Sequence, residues 1–188
     1  IDKGSREICM KFADKIPYDE VYVIPAVGNS ANASVAAVRL GLESALVSNV
    51  GDDYFGQECL DALKKEKVAT EFIKTHKGQK TNYHYVLWYE DERTILIKHE
   101  KYDYKLPDIN SPGWIYLSSL GENSLEFHNE LEKFLNDKPK IKLAFQPGTF
   151  QMKFGNRALK EFIKDQIYFC QTKKSRKEFL KPTRATLK

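Results

Sequence analysis

The chain has 188 residues, of which 41% are hydrophobic and 30% are charged, and its formal net charge is +4. These proportions predict one globular domain with its own hydrophobic core, and no apolar run approaches the roughly 18–20 residues that would cross a bilayer. The positive charge is local, because residues 171–188 hold seven Lys or Arg and one Glu while residues 1–170 carry a balance of −2. This distribution argues against a nucleic-acid-binding body and predicts a basic, disordered tail at 171–188.

The three cysteines, Cys9, Cys59 and Cys170, are odd in number and far apart. Without a C-x-x-C pair or a Cys/His cluster, neither a disulfide framework nor a metal site is predicted. Reduced cysteines and the lack of a recognisable secretory signal predict a cytoplasmic protein. Since the first residue is Ile rather than Met, we expect a start that is processed or incomplete.

Short apolar segments alternate with helical patterns along most of the chain. In chain order, the predicted elements are extended segments at 8–12 and 20–24, a helix after the turn at 28–32, a strand at 44–49, a helix at 54–65 capped by Asp53, strands at 68–73 and 114–118, a helix at 125–135, a strand at 141–145, a helix at 157–164 and a strand at 167–170. Strand–helix alternation with short links predicts a mostly parallel sheet with helices on both faces.

Two segments, 81–89 and 94–99, break this rhythm. Both are rich in β-branched and aromatic residues, and only four polar or charged residues separate them. That pattern predicts an antiparallel hairpin. Together with the extended segments near the start of the chain, it would form a small sheet apart from the main one.

The turn at 28–32 has features of a ligand site. Gly28 would let the backbone approach a ligand closely, and Asn29 or Ser30 could cap the following helix. The free N–H groups of that helix start would point at whatever lies over the turn. Asn32 offers a donor and an acceptor, as sugar hydroxyls require. Taken alone, the same pattern also fits a capped helix without a ligand.

The run Gly28-Asn29-Ser30-Ala31-Asn32, followed by Arg39-Leu40-Gly41 and by Val50-Gly51-Asp52-Asp53-Tyr54-Phe55-Gly56, resembles the first signature of the ribokinase-like (PfkB) carbohydrate kinases. The resemblance extends at least to Phe154-Gly155. It implies a ribokinase-like α/β fold over residues 1–170, with a mostly parallel sheet and a small β-sheet lid from about 8–24 and 81–99. It also implies a fold that is incomplete at both ends.

The resemblance also implies a substrate site. Positions matching Gly28, Asn29 and Asn32 bind the substrate hydroxyls in the family, and positions matching His84 and Val86 in the lid face the sugar. Ser118 and Ser119, at the end of a predicted strand, are weaker candidates. The implied substrate is a sugar or a nucleoside, the implied cofactors are ATP and Mg²⁺, and the lid could support a homodimer.

The chain departs from the family at the residues that carry the chemistry. No G-A-G-D motif, which supplies the family's catalytic base, occurs in the sequence, and Gln171-Thr172-Lys173-Lys174 stands where N-x-x-E is expected. We therefore identify no catalytic residue. The leading hypothesis is a truncated portion of an ATP-dependent sugar or nucleoside kinase that carries the sugar-binding half and the lid and is inactive alone. The alternatives are a non-catalytic sugar-binding or interaction module, and an anion- or RNA-binding protein that acts through the tail.

Overall fold

The computed structural model describes residues 7–148 and 150–153 together with the backbone of 167–169. In chain order, its elements are α1 (Asn29–Arg39), β1 (Ser48–Gly51), α2 (Tyr54–Lys65), β2 (Ile73–His76), β3 (Tyr85–Tyr89), β4 (Glu92–Leu96), β5 (Trp114–Leu117), α3 (Leu125–Asp137), β6 (Lys142–Phe145) and β7 (Ile167–Phe169). The predicted helix at 157–164, Cys170 and the tail at 171–188 lie outside the described residues. No helix in the described part of the chain is long and apolar enough to span a membrane.

The parallel pairing expected from the sequence is confirmed. β1 pairs with β2 in parallel, from Ser48 opposite Ile73 to Gly51 opposite His76. β5, β6 and β7 form a second parallel sheet in that order. The hairpin of β3 and β4 is a separate antiparallel sheet. The parallel strands thus belong to two small sheets, whereas the strand–helix alternation predicted one.

The strand predicted at 68–73 lies later than expected. Residues 67 and 68 form the turn that follows α2, because their N–H groups bond back to the carbonyls of Lys64 and Leu63. Ala69 forms an isolated bridge with Ala45, and a turn follows in which Ile73 N–H bonds to the Thr70 carbonyl. The regular ladder therefore begins only at Ile73.

The extended segments predicted at 8–12 and 20–24 do not form strands. The chain turns at Ala13, which has a φ of 60°, and the Asp14 N–H bonds to the Lys11 carbonyl. Apolar side chains along this stretch, from Ile8 to Ile24, are exposed. A strand needs a neighbour for its backbone groups, and no described segment pairs with this one. Among the described residues the expected lid thus consists of β3 and β4 alone.

The two helix starts differ from each other. Helix α1 begins directly after Gly28, and neither Asn29 nor Ser30 caps it with its side chain, so that prediction was wrong. Helix α2 has the cap that the sequence predicts: an Asp53 carboxylate oxygen accepts the Gly56 N–H at 3.0 Å. The bounds of α2 also match the predicted 54–65.

Two hydrophobic clusters lie under these elements. The N-terminal cluster packs α1 and α2 against the segments around β1 and β2, and it consists of Ala31, Leu46, Leu63 and Val68. The C-terminal cluster packs α3 against β5 and β6, and it consists of Leu117, Phe127, Leu131, Leu143 and Phe145. Small Ala31 lets α1 lie close to its neighbours, whereas large side chains fill the C-terminal cluster.

Candidate functional site

The end of β1 and the start of α2 are packed backbone to backbone. A Cβ atom at Gly51 would overlap the carbonyl oxygen of Gln79, and one at Gly56 would overlap the carbonyl oxygen of Gly51. Only glycine tolerates such an approach. These glycines therefore hold the segment before the hairpin directly against the end of β1.

A hydrogen-bond network joins this packing to the hairpin. The Thr81 hydroxyl accepts the Gly51 N–H at 3.0 Å and donates to an Asp53 oxygen at 2.6 Å. The other Asp53 oxygen accepts the Thr81 N–H at 3.0 Å. Partial burial would raise the pKa of Asp53, but the bonds from Thr81 and Gly56 outweigh it and hold that pKa below its usual value. Through these hydrogen bonds, the ionised Asp53 carboxylate links the residue Thr81, just before the hairpin, to the start of α2.

The root of the hairpin is closed by side chains instead of by a backbone ladder. The ladder ends where Tyr85 faces Leu96. Below it, His84 Nδ1 accepts the Lys98 N–H at 3.2 Å, and Asn82 Oδ1 accepts the Glu100 N–H at 2.7 Å. The Tyr102 hydroxyl then donates to the Lys80 carbonyl at 2.6 Å. Because a backbone N–H donates to Nδ1, a neutral His84 carries its proton on Nε2.

A cavity of about 270 Å³ lies where the turn at α1, the start of β1, the hairpin root and the segment after β5 meet. Its polar lining comes from Ser30, Ser48, Asn49, Asn82, His99 and Ser119, and its aromatic lining comes from Phe72, Tyr102, Tyr104 and Phe127. Lys74 and Lys105 also line it, and no Asp or Glu does. Hydroxyls, amides and aromatic faces in a concave site are typical of small-molecule binding.

The two lysines that line the cavity lie close to carboxylates that do not line it. Lys105 lies 3.2 Å from Glu126 and 3.8 Å from Glu130, and Lys74 lies 3.8 Å from Asp103. Asn49 is oriented by a 2.8 Å hydrogen bond between its Oδ1 and His76 Nε2, which leaves its NH₂ group for other partners. The cavity therefore presents mainly neutral donors and acceptors.

The predicted site residues do not contribute to the lining of this cavity. Gly28, Asn29, Asn32, His84 and Val86 are all exposed, and none of them lines the cavity. Their contact with a ligand stays a prediction. The structure does bring their two elements together, because Ser30 comes from the same turn as Gly28, and Asn82 comes from the same arm as His84.

The two serines at the end of β5 have different surroundings. Ser119 lines the cavity, whereas Ser118 is buried and its carbonyl accepts a 3.1 Å hydrogen bond from Gln151. Sequence reasoning missed Asn49, Asn82 and His99. Asn82 and His99 lie beyond the hairpin ladder, which ends where Tyr85 faces Leu96, and the sequence carries no local signal that brings them together.

The described residues offer no ligand set for a metal. Among them there is no group of three or more His, Cys, Asp and Glu side chains that could hold an ion. The stretch 171–174, where the family's magnesium-organising motif is expected, lies outside the described part of the chain.

Comparison with known proteins identifies the family. Residues 18–131 match the profile of the pfkB family of carbohydrate kinases, which is more than half of the chain. The chain therefore belongs to that family. Among curated proteins, the ribokinase of Bacillus subtilis is 38% identical over 73 residues, which is 38% of this chain and 25% of the ribokinase.

Solved structures agree on the fold. A fructokinase from Halothermothrix orenii superposes with a TM-score of 0.53 at 26% identity, covering 63% of this chain and 45% of the fructokinase. A sugar kinase from Pyrococcus horikoshii, solved in complex with ATP, gives a TM-score of 0.57 at 23% identity, covering 73% of this chain and 50% of that one. The chain thus spans a quarter to a half of the length of these relatives.

Proposed function

We propose that this chain forms the sugar-binding part of an ATP-dependent carbohydrate kinase, which transfers a phosphoryl group to a hydroxyl of a sugar or nucleoside. The observation that carries the proposal is the cavity in which Ser30, from the first turn of α1, meets Asn82 and His99, from the hairpin root. In a pfkB family chain, this meeting of turn and hairpin supports a substrate site.

The substrate would lie over the helix start and beneath the hairpin. Gly28 leaves room over the turn, since nothing lies within 4 Å of an added Cβ. Asn29 and Asn32 are exposed on α1 and would bind hydroxyls from below. His84 and Val86 would close over the ligand from the hairpin, which would act as a lid.

ATP is proposed as the phosphoryl donor, in keeping with the family and with the ATP complex of the Pyrococcus horikoshii sugar kinase. Bound ATP with Mg²⁺ would supply the phosphoryl group and the charge that steadies its transfer. The described residues do not fit a metal site, and the sequence has no G-A-G-D motif. What this chain's own residues would do is bind and orient the substrate hydroxyls.

A direct binding measurement tests the proposal. Calorimetric titration of the full chain with D-ribose and D-fructose should detect binding of at least one sugar. Asn32→Ala should weaken that binding by about 1–3 kcal/mol, because the ligand's polar groups lose a partner. Asn136→Ala, an exposed asparagine on α3 outside the cavity, is the matched control. Unchanged affinity in Asn32→Ala would remove Asn32 from the site, and no binding of either sugar would contradict the proposed function.

Catalysis by the isolated chain should be very slow. Without a positioned general base, a loss of about 10²- to 10⁴-fold is expected from the usual kinase range of about 1–100 per second. Coupled ADP release with pentoses, hexoses and nucleosides measures this rate. Turnover near one per second that Asn32→Ala abolishes would show that another residue serves as the base. Sugar binding without turnover is also what the alternative function, a non-catalytic sugar-binding module, predicts.

A second copy of this chain is the proposed partner of the hairpin. Trp88 is 73% exposed and Tyr89 is 69% exposed, and a two-stranded hairpin is only marginally stable by itself. Pairing two hairpins would cover this apolar surface. Sedimentation should show a dimer that Trp88→Lys converts to a monomer. A monomeric wild-type chain at high concentration would contradict this proposal.

A further inference from the structure

We propose that His99 is a specificity-determining residue. Its imidazole would form a hydrogen bond with a hydroxyl group of a neutral polyol of monosaccharide size, bound in the cavity at the hairpin root. The inference rests on the proposed function and deepens it. It adds a contact on the second arm of the hairpin, whereas the residues implied by the family resemblance lie on the turn and the first arm.

The position of His99 in the cavity carries the proposal. His99 and Asn82 both line the cavity, and each lies three residues beyond the last pair of the hairpin ladder, Tyr85 opposite Leu96. The His99 ring is held edge-on between two other rings, at 5.3 Å from His84 and 6.0 Å from Phe150. Its ring plane is thus positioned by packing.

The nitrogens of His99 remain available to a ligand. Within the described residues the His99 imidazole contacts other rings and forms no hydrogen bond. Asn82 is different, since its Oδ1 is already used by the Glu100 N–H at 2.7 Å. A neutral imidazole has one donor and one acceptor nitrogen. His99 can therefore either donate a hydrogen bond to a hydroxyl or accept one from it.

The lining favours a neutral polyol over an ion. The serine and asparagine side chains that line the cavity with His99 are neutral, namely Ser30, Ser48, Asn49, Asn82 and Ser119. The two lysines of the lining already face carboxylates outside it. A volume of about 270 Å³ lies just below the roughly 300 Å³ at which pockets for drug-sized ligands begin. A monosaccharide suits this size and this mixture of donors and acceptors.

The test separates the hydrogen bond of His99 from its packing. His99→Phe keeps a ring against His84 and Phe150 but cannot bond a hydroxyl, whereas His99→Gln keeps a donor and an acceptor. The full chain and both variants are titrated with D-ribose, 2-deoxy-D-ribose and D-fructose. Thr94→Val, on the exposed β4 strand, is the control outside the cavity.

We expect His99→Phe to bind the preferred sugar about tenfold more weakly, which corresponds to the loss of one good hydrogen bond. His99→Gln should stay within about threefold of the wild type, and Thr94→Val should match it. In the wild type, ¹⁵N spectra of the imidazoles should shift for His99 and not for the buried His128 when sugar is added. This last measurement applies even if His99→Phe does not fold.

The other outcomes separate the inference about His99 from the proposed function. If a sugar binds and both His99 variants keep wild-type affinity, or if the His99 resonances do not move, the inference fails and the proposed function stands. If Asn32→Ala loses no affinity but His99→Phe does, the inference stands without the contact predicted for Asn32. If none of the sugars binds, both the inference and the proposed function fail.

Discussion

The two hydrophobic clusters differ in the side chains that fill them and in the polar groups that adjoin them. The N-terminal cluster uses small and aliphatic side chains, and its edge is fastened by an ionised carboxylate, Asp53. The C-terminal cluster uses leucine and phenylalanine side chains, and a buried histidine, His128, follows Phe127 in α3. Because their side chains differ, the two clusters should respond differently to cavities, to added atoms and to acid.

The largest effect is expected from a cavity in the C-terminal cluster. Phe145 is fully buried, so Phe145→Ala should lower the free energy of unfolding by about 3–5 kcal/mol. Leu63→Ala in the N-terminal cluster should cost about 2–4 kcal/mol. Urea unfolding measures both. Two separate transitions, each sensitive to only one substitution, would show that the clusters unfold independently.

Added atoms should be least tolerated beside the N-terminal cluster, at the end of β1. A methyl group at Gly51 would overlap the Gln79 carbonyl and the neighbouring backbone, so Gly51→Ala should destabilise the chain by about 2–3 kcal/mol. Gly113→Ala is the matched control, because nothing lies within 4 Å of its added Cβ. Equal midpoints for the two variants would show that the backbone relaxes at no cost.

Loss of the hydrogen bonds made by the Thr81 hydroxyl should lower the free energy of unfolding somewhat less than the packing changes do. Thr81→Val keeps the shape of the side chain but leaves the Gly51 N–H and one Asp53 oxygen without the hydroxyl. We expect a loss of about 1–3 kcal/mol. Thr94→Val, at an exposed position of β4, should change the stability by less than about 0.5 kcal/mol. A similar small loss for Thr81→Val would mean that water replaces the hydroxyl.

Acid should affect the C-terminal cluster first. His128 is 1% exposed, its Nδ1 bonds to the Ser124 carbonyl at 2.7 Å, and burial lowers its pKa. The unfolded chain then binds more protons, so stability should fall as the pH drops below the unfolded value of about 6.5. His128→Leu should flatten the pH dependence of the urea midpoint between pH 7 and 5. A slope equal to that of the wild type would assign the dependence to other groups.

The carboxylate of the N-terminal cluster should act only in stronger acid. Because the folded pKa of Asp53 lies below its usual value, its contribution is complete above the unfolded pKa of about 3.9 and is lost as the pH falls through the folded pKa. Asp53→Asn should therefore remove part of the stability at pH 7 and flatten the dependence below pH 4. Its slope between pH 7 and 5 should match the wild type.

Local patterns were sufficient for the elements whose causes are local. Helix α2 follows from a capping Asp53 and an apolar stripe at helical spacing, and the structure has it at Tyr54–Lys65. The hairpin follows from two β-rich segments separated by a short turn. The segments at 8–12 and 20–24 have the same strand-forming composition, yet they are not strands, because composition cannot supply a neighbouring strand.

The family, the parallel strand pairing and the hairpin could be predicted from the amino-acid sequence, because periodicity, turn chemistry and the glycine-rich signature are properties of nearby residues. Which side chains share the cavity became known only from the folded chain. Ser30, Asn82, His99 and Ser119 meet there across separations of up to 89 residues, and no local pattern encodes such a meeting. The close approach of Gly51 to Gln79 likewise depends on how the chain packs after β2, which is why its steric role emerged only from the fold.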